Sequence, residues 1–265
     1  MPIRSVPQRG IARLLVHAWP AVLSVTTLVL AWEAYVQLSG ISPTALAAPS
    51  RVLVQGFEQR HALASHTLAT LQATLLGFSC SLGAAFLFSL LLDFFRPLRR
   101  ALFPVFIITQ TLPLVAIAPL VVLWFGFGLT PKIVLVALVT FFPMLVALVQ
   151  GYDSADHDIE ALLASMGASR RRIFVAARLP SALPYFFAGL RISITYAVVG
   201  AIFAEYAGSV RGLGIYILNA KNNFRPDLVL AAVFVSATLT LCLFGATILL
   251  QRVTMPWTRL VERKP

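Results

Sequence analysis

Long apolar runs, separated by short polar connections, recur along almost the whole 265-residue chain. A helix that crosses a hydrocarbon core about 30 Å thick, at about 1.5 Å per residue, needs about 20 mostly apolar residues. Six segments meet that length, near 18–38, 68–92, 101–125, 133–150, 183–204 and 228–250. The strict in-out alternation of a barrel strand is absent, and backbone groups in lipid must be satisfied within the segment, so the spans are predicted to be helices. The pattern predicts an all-α integral membrane protein: one domain over residues 1–265, a bundle of six transmembrane helices, with its longest polar connection at 151–182.

Composition agrees with the pattern. Apolar residues make up 59% of the chain and charged ones only 12%, too few to clothe a soluble core of this length. The net charge of +11 is compatible with a nucleic-acid partner, but its distribution excludes that reading. The basic residues sit in short clusters between apolar runs, at Arg96, Arg99 and Arg100, at Arg170, Arg171 and Arg172, and at Arg259, Arg263 and Lys264. Arg4, Arg9, Arg13, Arg178 and Arg252 fall on the same side of the six-span topology as these clusters. Arg51, Arg60, Lys132, Arg211, Lys221 and Arg225 fall on the other. The asymmetry predicts a multi-pass inner-membrane protein with both termini in the cytoplasm. Ala45-Leu46-Ala47 has the form of a signal-peptidase site, but the apolar run before it is longer than a signal peptide needs and carries Glu33. Cys80 and Cys242 lie in apolar runs without metal-ligand spacing, so neither a disulfide framework nor a metal site is indicated.

The 151–182 connection is patterned as helix. Asp153, Asp156, Asp158 and Glu160 precede Ala161-Leu162-Leu163-Ala164-Ser165-Met166, and Gly167 follows. Acidic residues suit a helix N-terminus and glycine supplies a left-handed C-terminal position, so two short helices joined at Gly167 are expected. The chain contains no G-x-x-x-x-G-K-[ST] phosphate loop, so work driven by nucleotide must come from another polypeptide.

These residues resemble the cytoplasmic signature of the transmembrane subunits of bacterial ATP-binding-cassette (ABC) importers, which runs Glu-Ala-Ala, three residues, Gly, nine residues, Ile, any residue, Leu-Pro. Glu160-Ala161, Gly167 and Leu179-Pro180 carry the likeness and are expected at those spacings, with Leu162 as the third residue and Ala177 in place of Ile. Further stretches resemble the subfamily serving alkanesulfonates, taurine, nitrate, riboflavin and thiamine precursors: 110–113, 118–120, 124–128 with Pro131-Lys132, 48–52, Gly189-Leu190-Arg191, Ala204-Glu205 and Gly212-Leu213-Gly214. The resemblance implies a type I importer permease with cytoplasmic coupling helices, no catalysis of its own and no cofactor in this chain. ATP and Mg would be bound by partner ATPase subunits, with a second permease copy and a substrate-binding protein completing the transporter. It also implies that Glu160, Ala161, Ala164, Met166, Gly167, Leu179 and Pro180 couple to the ATPase. Among solutes, it leans toward a pyrimidine thiamine precursor or a riboflavin-like nutrient, with alkanesulfonate, taurine or nitrate as the alternative.

Polar and ionisable groups inside spans are costly and mark a candidate solute path or gate. Gln110, Thr111, Thr140, Arg191, Tyr196 and Glu205 are the candidates, with Ser193 and Thr195 as further polar positions of the same spans. Glu33 in the first span is expected to be neutral, paired with a neighbouring helix, or open to water. An intramembrane carboxylate also leaves open an ion-coupled secondary transporter, but no internal repeat supports it. No cluster of His, Asp and Glu points to a membrane-embedded enzyme.

Overall fold

A computed structural model describes residues 9–256; Arg4, Arg259, Arg263 and Lys264 lie outside the described residues. Every regular element among the described residues is helical: α1 (Arg9–Ser39), α2 (Pro49–Glu58), α3 (Arg60–Phe94), α4 (Arg96–Thr111), α5 (Leu114–Phe125), α6 (Thr130–Asp153), α7 (His157–Ser165), α8 (Arg170–Ile173), α9 (Leu179–Gly208), α10 (Leu213–Asn222) and α11 (Pro226–Thr254). A five-residue π-helix, Phe174–Arg178, joins α8 to α9. Five of these stretches are long and apolar enough to cross a bilayer: α1, α3, α6, α8 running on through α9, and α11.

The 101–125 segment departs from the expected single helix. It forms α4 and α5, bent by 101° at Leu112-Pro113. Pro113 has no N–H to donate and its ring pushes the residue before it out of the helical region, so Leu112 is extended (φ −74°, ψ 126°) and α4 stops. The Pro113 carbonyl then accepts from the amides of Ala116 and Ile117 and starts α5. Pro119 and Pro143, by contrast, are carried inside α5 and α6.

The described residues divide into two compact units. One comprises α1, α2 and residues Ala220–Ala231. Within it, Arg51 and Arg225 both bond the carboxylate of Asp227, and Arg225 also reaches Gln55 Oε1 at 2.6 Å, so α2 is tied to the start of α11. None of the Val22–Ser39 stretch of α1 is buried, and its apolar side chains are left for lipid.

The other unit runs from His61 to Asn219 and resumes at Ala232. Its centre is the pair α6 and α9, packed along most of their length. Leu135, Val136, Met144, Leu145 and Leu148 of α6 are buried with Phe187, Leu190, Ile194, Ala197 and Ala201 of α9. Lipid supplies no hydrophobic drive for such a pair, so close backbone approach and interhelical bonds hold it. Ser193 Oγ donates to the Thr140 carbonyl at 3.1 Å. A Cβ on Gly200 would lie 2.8 Å from Val139 Cγ2, and one on Gly151 2.8 Å from Ala182 Cα. Phe88, Phe106 and Phe141 then pack edge to face beside the pair.

Gly200→Leu is therefore expected to lower the thermal midpoint of the detergent-solubilised protein, at a cost of about 1–3 kcal/mol or more from overpacking. Gly83→Ala, where an added Cβ meets nothing within 4 Å, should leave that midpoint unchanged or slightly raised.

Candidate functional site

The connection after α6 is built from local signals. The Asp156 carboxylate caps α7 by accepting the Asp158 amide at 2.9 Å, and Asp158 and Glu160 place negative charge in its first turn. The helix ends in a Schellman turn: the Gly167 amide donates to the Ala164 carbonyl and the Ala168 amide to the Leu163 carbonyl, both at 3.0 Å. That turn needs a left-handed residue, and Gly167 supplies it at φ +80°. Ser169 then caps α8, its Oγ accepting the Arg172 amide.

α7 buries no residue of its own. Ile159, Leu162 and Met166, at helical spacing, leave one apolar face bare, with 50%, 61% and 75% of their surfaces exposed. Ala161 and Ala164 are exposed as well, though by helical spacing they do not lie on that face. Glu160 points the other way. Its Oε1 accepts from Arg178 Nε at 2.7 Å and its Oε2 from Arg178 Nη2 at 2.9 Å, a two-pronged ion pair that holds the carboxyl below its ordinary pKa. The stabilisation it lends is complete above the usual glutamate range and disappears as pH falls through the depressed value. Arg178 Nη1 donates in turn to Asp93 Oδ1 at 2.8 Å, at the end of α3. Arg99 and Asp153 make a second two-pronged pair nearby, joining α4 to α6.

Two expectations for this region need correction. The connection is shorter than 151–182, because α6 runs on to Asp153 and α8, the π-helix and α9 are continuous from Arg170. The second short helix is thus the lead-in to α9, and Leu179 and Pro180 are the first turn of a span rather than part of a loop. Pro180 cannot donate to Ala176 as α-geometry requires, and the turn before it widens so that the Leu179 amide reaches the Phe174 carbonyl. The second correction concerns register. Four residues, not three, separate Leu162 from Gly167, so Glu160 lies one position earlier than the signature's glutamate. One residue is about 100° of helix, so Glu160 points in a different direction from the signature position, and there it pairs with Arg178.

A second charged cluster lies at the far end of α9. Glu205 is fully buried, accepting from Thr70 Oγ1 at 2.9 and 3.0 Å and from the Gly214 amide at 2.8 Å, with Lys132 Nζ 3.9 Å away. Lys132 also donates to the Arg211 carbonyl at 2.8 Å. Thr70 Oγ1 accepts the Leu213 amide, and the Gly212 amide donates to His66 Nδ1 at 3.0 Å. The separate stretches holding Lys132, Glu205 and Gly212–Gly214 thus form one clasp around a carboxylate. Gly212, at φ +141°, lies so close that a Cβ would overlap the Glu205 carboxyl group.

The remaining path candidates separate. Gln110, Thr111 and Tyr196 are exposed, the first two at the end of α4 beside the break. Arg191 is half-buried with its Nε on the Phe187 carbonyl. Thr140 and Ser193 are buried in the α6–α9 contact, while Thr195 bonds its own helix. Glu33 caps a helix: its two oxygens accept the Ser50 amide at 2.9 Å and the Ser50 hydroxyl at 2.7 Å at the start of α2. The carboxylate that left room for ion coupling is therefore paired with a neighbouring helix. Arg178 and Asp93 are the members of the α7 site that sequence reasoning missed; Arg178 was visible only as another positive charge. Among the described residues, no group of His, Cys, Asp and Glu is arranged to hold a metal ion.

Residues 77–255 match the family model of binding-protein-dependent transport system inner membrane components. The chain belongs to this family. It is 36% identical over 262 residues to the riboflavin transport system permease protein of Chloroflexus aurantiacus, covering 97% of each chain. It is 33% identical over 233 residues to the formylaminopyrimidine transport permease protein of Halalkalibacterium halodurans, covering 88% of this chain and 93% of that one. With the taurine transport system permease protein of Escherichia coli the identity is 32% over 265 residues, covering 93% and 94%. The chain is a multi-pass membrane permease subunit of an ABC importer, and ATP hydrolysis is the work of a separate ATPase subunit.

Gly212→Ala combines backbone strain with a collision against Glu205, and should destabilise the detergent-solubilised protein by at least about 2 kcal/mol. Gly40→Ala, at φ +63° with open space around it, should cost only about 1 kcal/mol. Thermal unfolding of the two variants side by side measures the difference.

Proposed function

We propose that α7 and its Gly167 turn form the element by which this permease is driven, with the bare face of Ile159, Leu162 and Met166 seated in a cleft of the ATPase subunit. The observation that carries this reading is a helix with no buried residue, capped at both ends and presenting three large apolar side chains. A contiguous exposed apolar face of this kind marks a surface for a partner. Ala161, Ala164 and Gly167 belong to the same helix and its closing turn, and Leu179 and Pro180 begin the span that follows. ATP and its Mg ion belong to the partner. Both termini and α7 lie in the cytoplasm, as the basic clusters favour. The chain works as one domain, paired with a second copy of itself, and receives its solute from a binding protein.

The solute we infer is a small planar nitrogen heterocycle of the formylaminopyrimidine or riboflavin kind. The relatives named for such solutes support this, as does the chemistry of the exposed path candidates. Gln110, Thr111 and Tyr196 offer uncharged hydrogen-bonding groups, whereas Arg191, the cation a sulfonate would need among these positions, is half-buried with its Nε on a backbone carbonyl.

Leu162→Asp with Met166→Asp replaces the centre of the bare face by charge. Capture of the ATPase subunit by the purified double variant should weaken about tenfold or more, as expected for lost interface anchors. ATP-driven uptake of riboflavin or a formylaminopyrimidine into proteoliposomes should be lost with it, while membrane insertion is unchanged. Undiminished capture of the ATPase would contradict the assignment.

A further inference from the structure

We propose that Arg178 is the positioning residue that ties α7 to the end of α3, so that a displacement of α7 is delivered to α3 as well as to α9. The inference rests on the coupling role of α7 proposed above and adds the route by which motion leaves that helix. Arg178 lies 18 residues from Glu160 and 85 from Asp93, yet one guanidinium bonds both. Nε and Nη2 hold Glu160 while Nη1 holds Asp93. Because the guanidinium is a rigid planar fork, the two carboxylates are fixed relative to each other; an ammonium on a flexible stem does not do this. The side chains are 7%, 17% and 27% exposed for Asp93, Glu160 and Arg178, so the link is sheltered from the screening that weakens surface pairs.

The backbone around Arg178 suits the role. It is the last residue of the π-helix and immediately precedes Leu179 of α9, and π-helical turns concentrate where helices serve a function. A cavity of about 410 Å3 borders all three charged groups and is walled by Phe94 and Phe174, which leaves room for the cluster to shift as a unit. Arg170, Arg171 and Arg172 form the more conspicuous basic cluster, yet no ion pair among the described residues involves their side chains.

The test uses the permease assembled with its ATPase subunit in proteoliposomes. Cys80 and Cys242 are replaced by serine and a spin label is placed at Ala64, an exposed position in the first turns of α3. In the otherwise unaltered protein, trapping with ATP and vanadate should change the label's spectrum. Asp93→Asn removes the α3 arm alone and leaves the Glu160–Arg178 pair and the bare face of α7 in place. The ATPase subunit should therefore still co-purify and still trap nucleotide, but the spectral change at Ala64 should be lost. Arg178→Lys, which reaches one carboxylate at a time, should lose it as well, and gives the same decision if Asp93→Asn does not accumulate. Three results overturn the proposal: no nucleotide-dependent change at Ala64 in the unaltered protein, a full change in the variants, or loss of the ATPase subunit from Asp93→Asn. Failure of the coupling role itself would appear elsewhere, as undiminished ATPase capture by the protein altered at Leu162 and Met166.

Discussion

Hydrocarbon gives an ionised side chain neither water nor counterion, so a charge on a membrane helix must find its partner within the protein or lie near an edge. Much of the unit built on α6 and α9 is arranged around that constraint. At one end of α9, Arg178 collects Glu160 and Asp93; at the other, Glu205 collects Lys132, Thr70 and the amide of Gly214. The two clusters are 27 residues apart along one helical path, about 40 Å at the rise of an α-helix, which matches a bilayer with its headgroup layers. Between Arg178 and Glu205 the only charged residue of that path is Arg191. The middle of the helix is held by small residues and buried aliphatic side chains against α6, which suits a solvent that offers no hydrophobic drive.

The two clusters differ in what surrounds them. The Glu205 cluster is closed: the carboxylate is fully buried, and Gly212 leaves no room for even a methyl group. It braces the segment between α9 and α10 against α3 and α6. The Arg178 cluster is open on one side to a cavity and attached on the other to a short helix with a bare apolar face. A rigid end and an end with space to move suit a permease whose work begins on one side of the membrane. The two-pronged pair on Glu160 also explains how a helix without buried residues stays in place before a partner arrives.

What the sequence made legible follows the range of the interactions. The long apolar runs, the Asp156 cap and the left-handed turn at Gly167 are each written within a few adjacent residues, and the helices at those places follow. The 101–125 run reads as one helix rather than as a 101° break at Pro113, because whether a proline kinks a helix or ends it depends on what packs around it. Pro180 misled in the opposite sense. Leu179-Pro180 reads as the close of a loop, yet the π-helical turn absorbs the missing donor and the helix continues. Least legible were the pairings. Asp93 with Arg178 spans 85 residues and Thr70 with Glu205 spans 135, and nothing local marks either. The same applies to Glu33, whose role as a cap for α2 depends on Ser50 folding back to it.

The proposed coupling depends on α7 inserting its bare face into an ATPase subunit. Site-directed cross-linking tests it most directly. With Cys80 and Cys242 replaced by serine, a cysteine is placed at Met166 and, in a second protein, at Leu53 of α2, which the proposed topology puts on the other side of the membrane. Mild oxidation in native membranes should join the Met166→Cys protein to an ATPase subunit carrying a cysteine in its cleft, giving a species of the combined mass, and should leave the Leu53→Cys protein unjoined. Absence of that species from Met166→Cys, or its equal formation from Leu53→Cys, would contradict it.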